Sequence, residues 1–96
     1  IYENCTSTGG TSFTPVNRNR NSATTSNVAM VINPTITATG TEIDGQLIPG
    51  GTGKKSSGSS AGSLEYVLKP LTNYLFRLTN VNGTDHAASL QLEWYE

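Results

Sequence analysis

At 96 residues the chain has room for one domain at most, and a domain this small buries only a modest share of its unfolded surface. Six basic against seven acidic side chains leave a formal net charge of −1, too little positive charge to displace counterions from phosphates, which argues against a dedicated nucleic-acid binder. The single cysteine, Cys5, excludes a disulfide within the chain and a cysteine-based zinc site, and no apolar run approaches the roughly 20 residues of a membrane-spanning helix.

Short apolar or β-branched runs alternate with clusters of Gly, Asn, Ser and Pro, so the expected fold is all-β, an antiparallel β-sandwich or barrel, of which the sandwich is preferred. Residues 1–5 read as a strand already under way at Ile1, and further residues are expected before it. Cys5 is expected to be a buried or half-buried small side chain. The "STGG" of residues 7–10 ends this strand, its glycines supplying positive φ. A second strand is expected over residues 11–16, cut by Pro15, which cannot donate to a ladder.

Then comes "PVNRNRNSATTSN", residues 15–27, with two arginines set between asparagines and little to bury. Asn17, Asn19 and Asn21 favour tight turns through side chain to backbone bonds, and the forks of Arg18 and Arg20 suit carboxylates, phosphates or carbonyls. The reading is an ordered loop between two strands, its arginines paired with carboxylates of the same subunit or with a partner protein. "VAMVI", residues 28–32, is a continuous apolar run of strand length, expected to be buried on both faces. Strands are also expected at residues 35–38 and 42–48, the second with a bulge or close backbone approach at Gly45. Residues 49–63, dominated by Gly and Ser with Lys54 and Lys55 as a small basic knot, read as a long mobile loop. Their glycine spacing does not match a phosphate-binding loop.

The last third predicts residues 64–69 as a strand ended by Pro70, room for a short helical turn at 70–73, and a terminal hairpin. Tyr74, Phe76 and Leu78 fall on one face with Leu75 and Arg77 on the other; after the Asn82-Gly83 turn, Ala88, Leu90, Leu92 and Trp94 share the inner face. Trp94 is therefore expected in the core, although exposed Trp94, Tyr95 or Tyr2 would suit stacking on sugars.

No catalytic set emerges. His86 beside Asp85 reads as a turn histidine without a signposted nucleophile, and Glu42 with Asp44 reads as a solvated strand face, short of the oxygen ligands a cation needs. The sequons at Asn4 and Asn82 are the chance matches of a chain rich in Asn and Thr. No enzyme and no cofactor are expected.

Three stretches carry a resemblance: "YENCTSTGGTSFTPVNRNRNS" (2–22), "LEYVLKPLTNYLFRLTN" (64–80) and "SLQLEWYE" (89–96). Together they resemble the C-terminal part of the head decoration, or cement, proteins of tailed bacteriophages, whose fold is a jelly-roll β-sandwich. The resemblance implies a structural virion protein on the outer surface of the phage head that reinforces subunit contacts noncovalently. It implies the major capsid protein as partner, a homo-oligomer (dimer or trimer), and a further β-rich portion before the "YE-x-x-T" strand. Neither nucleic acid nor membrane is an expected partner. Candidate partner contacts are Asn17, Arg18, Asn19, Arg20, Lys54 and Lys55. The alternative is a phage fibre or a host-surface, glycan-binding module.

Overall fold

A computed structural model describes residues 1–46, 65–81, 83, 85 and 87–96. The expected Gly/Ser loop with Lys54 and Lys55, His86, and Asn82 of the Asn-Gly turn all lie outside the described residues. Within them the protein is all-β, without a helix. Its strands are β1 (Tyr2–Glu3), β2 (Thr6–Thr8), β3 (Thr11–Phe13), β4 (Met30–Ile32), β5 (Thr35–Ala38), β6 (Thr41–Glu42) and β7 (Tyr74–Leu75).

Six of these strands are pieces of one long antiparallel ribbon. Tyr2 stands opposite Glu42, Thr6 opposite Ala38, Thr11 opposite Ile32 and Phe13 opposite Met30, so β1, β2 and β3 pair in turn with β6, β5 and β4. Threonine, isoleucine and valine favour this extended backbone because their branched Cβ restricts χ1. Two bends interrupt the ribbon, each built from facing residues with positive φ. Asn4 (φ 62) lies beside Gly40 (φ 81), and Gly10 (φ 90) packs against the Asn33 (φ 53)-Pro34 step. Asparagine is among the few non-glycine residues that tolerate this region. At Gly40 and Gly10 glycine is also a spatial requirement: a Cβ on Gly40 would overlap the Glu3 carbonyl oxygen, and one on Gly10 would lie 3.0 Å from the Ile32 carbonyl oxygen.

The expected strand at residues 1–5 is thus split at Asn4, while the glycine turn after Thr8 and the strand at 35–38 stand where the sequence placed them. A bulge falls between Thr6 and Ser7, where the Thr37 hydroxyl donates to the Thr6 carbonyl at 3.1 Å. No bulge or strand is found at Gly45.

Strand β7 adds to the other edge of β1, giving the order β6-β1-β7, with Tyr2 opposite Leu75 and Glu3 opposite Tyr74. The Asn4 N–H extends this ladder to the Asn73 carbonyl at 2.9 Å. On one face, Glu3 accepts from Lys69 Nζ at 2.6 Å and from the Tyr74 hydroxyl at 2.9 Å, and that hydroxyl accepts from the Lys69 N–H at 2.9 Å. Lys69 and Tyr74 hold the Glu3 carboxyl below its ordinary pKa, and Glu3 raises that of Lys69. On the opposite face the Arg77 guanidinium lies 4.7 Å from the Tyr2 ring centroid and donates to its hydroxyl at 2.6 Å. The alternation expected for residues 74–77 is realised as these two separate anchors.

Burial departs from expectation. Among the described residues Cys5, 7% exposed, is the one buried hydrophobic side chain. The run at residues 28–32 is not buried on both faces: Met30 is half-buried while Val31 and Ile32 are 47% and 48% exposed. The reason is topological, since among the described residues β4 pairs with β3 alone and no second sheet packs on it. Residues 65–69 and 87–96 form no ladder, although their pattern predicts strands. Alternation specifies which face seeks cover, but a strand exists only where another edge accepts its hydrogen bonds. At 70–73 a turn replaces the expected helical one, with Leu71 at φ 54.

The bends yield a graded prediction. Gly9→Ala meets no atom within 4 Å and should cost about 1 kcal/mol for its positive φ alone. Gly40→Ala adds a clash with backbone and should cost about 3 kcal/mol. Equilibrium urea unfolding of both variants checks the order.

Candidate functional site

Residues 14–29 join β3 to β4 at the tip of the ribbon, and their order comes from side chains bonding backbone two residues on. The Asn19 N–H donates to Asn17 Oδ1 at 2.9 Å, Asn21 N–H to Asn19 Oδ1 at 3.2 Å, Thr24 N–H to Ser22 Oγ at 3.2 Å, and Val28 N–H to Ser26 Oγ at 3.0 Å. These are the self-capping turns that Asn and Ser favour. Asn17 Nδ2 closes the loop by donating to the Thr24 carbonyl at 3.1 Å, and Ser22 N–H donates to the Asn19 carbonyl at 3.0 Å.

The segment 91–96 lies against this loop through its carboxylates. Glu93 Oε2 accepts from Arg18 Nη1 at 2.9 Å, and Gln91 Nε2 donates to Glu93 Oε1 at 3.1 Å. Glu96 accepts from the Ser26 hydroxyl, from the Asn27 N–H at 3.1 Å and from Trp94 Nε1 at 3.1 Å. The Ser26 hydroxyl first, then the Asn27 N–H and the Trp94 ring N–H, pull the Glu96 carboxyl down to about 2. Between loop and segment lies a cleft of about 650 Å³. Among the described residues, Pro15, Val16 and Leu92 supply apolar lining, Trp94 and Tyr95 aromatic side chains, and Glu65, Glu93 and Glu96 carboxylates, with Arg18 as the one cation.

Of the candidate contacts, Asn17 and Asn19 serve the loop's own turns and Arg18 pairs within the chain. Arg20 is exposed and unpaired among the described residues; Lys54 and Lys55 lie outside them. Trp94 is not in a core: it borders the cleft, 38% exposed. The Asp44 carboxylate beside the Tyr66 hydroxyl raises the tyrosine pKa, and no group of three metal-ligating side chains occurs among the described residues. No helix there is long and apolar enough to cross a membrane. Sequence reading missed Ser26, Glu65, Glu93 and Glu96. Glu93 and Glu96 meet their loop partners across 75 and 70 residues, and nothing local in the sequence signals that approach.

Two outcomes follow for this junction. Arg18 and Glu93 side chains are 82% and 53% exposed, so Arg18→Ala should change stability by less than about 1 kcal/mol. Glu96, lowered on folding from 4.5 to about 2, should hold the segment fully above pH 4.5 and release it as the pH falls towards 2. The fluorescence of Trp94, the only tryptophan, reports this acid transition, and Glu96→Gln should abolish it.

No family model, curated protein or solved structure matches the chain.

Proposed function

We propose that this chain is a structural component of a virion, a decoration protein bound noncovalently to the outside of a bacteriophage capsid. The observation that carries the reading is the balance of apolar surface. Fifteen large hydrophobic side chains are exposed among the described residues, against Cys5 alone in the buried set. Covering apolar side chains left open in this number against a partner is favourable, because it removes their surface from water. Val67, on the expected strand 64–69, and Leu71, in the turn that follows it, are 101% and 108% exposed.

Leu71 sharpens the case. A leucine at φ 54 carries roughly 1–2 kcal/mol of backbone strain, which Gly or Asn would largely relieve, yet its side chain buries nothing in this fold. A strained, fully presented leucine offers apolar area that a partner surface would bury. In this reading the apolar faces complete a jelly-roll-like sandwich against added layers, the major capsid protein accepts the outer contacts, and the subunit forms a dimer or trimer on the shell. Binding free energy available only in the assembled particle then shifts the equilibrium towards the shell. The bacteriophage assignment draws on the resemblance of residues 2–22, 64–80 and 89–96.

Reconstruction of purified particles tests the assignment: a regular lattice of this protein on the head is expected, and confinement to the tail overturns it. Leu71→Asn separates association from folding. It should stabilise the isolated chain by about 1 kcal/mol while lowering particle occupancy at least about five-fold. Arg20→Ala should lower occupancy at unchanged stability, because Arg20 has no partner among the described residues.

A further inference from the structure

We propose that the cleft between the Asn-Arg loop and residues 91–96 receives a lysine or arginine side chain of a partner polypeptide. The inference rests on reading the chain as an association module and is independent of which particle it joins. Among the described residues, three carboxylates, Glu65, Glu93 and Glu96, line the cleft against the single guanidinium of Arg18, a surplus of two negative charges within that set. Two of those carboxylates are fixed in place: Glu93 by Arg18 and Gln91, Glu96 by Ser26, Asn27 and Trp94. Glu65 has no partner among the described residues, so its charge is free to meet a cation.

Beside these charges stand the faces of Trp94 and Tyr95, the latter 97% exposed. An aromatic face attracts a guanidinium or ammonium through its quadrupole, and neighbouring carboxylates add to that attraction. The fold already uses the same chemistry once, where Arg77 lies over Tyr2. An anionic ligand is repelled by the surplus charge. A neutral saccharide can stack on the rings but leaves that charge uncompensated, so charge complementarity favours a basic peptide.

The test uses the isolated chain, with Trp94 fluorescence as the readout. The probes are an acetylated, amidated hexapeptide alternating Arg and Ala, its Glu and Ala counterpart, and a neutral linear maltohexaose. The arginine peptide should give a saturable response that weakens with added salt and weakens about three-fold in Glu65→Gln. The glutamate peptide should give none. Glu65 is exposed and unpaired, so this variant should keep the parent circular dichroism spectrum. Equal responses to both peptides, indifference to Glu65→Gln, or saturation by the oligosaccharide alone would overturn the proposal. Because no capsid is present, a negative result alongside intact particle binding discards the cleft and leaves the association reading in place.

Discussion

The structure depends on a backbone constraint: at two levels of the ribbon, both strands must turn together. A long antiparallel pair bends sharply only if the two strands change direction at facing positions, because a kink in one alone would break the ladder. Asn4 with Gly40, and Gly10 with Asn33-Pro34, meet that condition through positive φ on both sides. The pairing partners from Tyr2–Glu42 to Phe13–Met30 are then carried through three short sheets in nearly constant register. Everything else attaches to this frame: β7 to the free edge of β1, the Asn-Arg loop to its tip.

Order in the loop has a different origin. Its backbone N–H groups cannot join a ladder, so Asn and Ser side chains supply the acceptors, each two residues earlier in the chain. Such turns shape the loop locally but do not fix its place. That task falls to Glu93 and Glu96, whose acceptors reach back to Arg18, Ser26 and Asn27. The cleft is a consequence of this division, with a self-supporting loop on one side and a segment held by charge-assisted bonds on the other.

The same frame explains why so little is buried. Two of the sheets have only two strands, and a two-stranded sheet offers each face no neighbour of its own. Phe13 on β3 and Val31 and Ile32 on β4 therefore stay open, as do Tyr66, Val67, Leu68 and Leu71. Polar networks such as Glu3-Lys69-Tyr74 hold the pieces in position without closing a core. An open apolar surface on a well-positioned backbone is what motivates the proposal that the chain associates with a partner.

Local chemistry was legible in the sequence. Threonine-rich and branched runs marked β3, β4 and β5 to within a few residues, Gly9-Gly10 marked a turn, and the asparagine spacing marked an ordered loop, whereas β2 falls partly on the Ser7-Thr8 that the sequence assigned to the turn. Each depends on contacts within a few residues or on intrinsic backbone preference, which the sequence carries directly. Tertiary structure alone decided that residues 65–69 and 87–96 would not form strands, that Val31 and Ile32 would remain exposed, and that Arg18 would meet Glu93. Alternation states that a face is apolar without naming what covers it, and an ion pair across 75 residues depends on where the ribbon's bends place its tip.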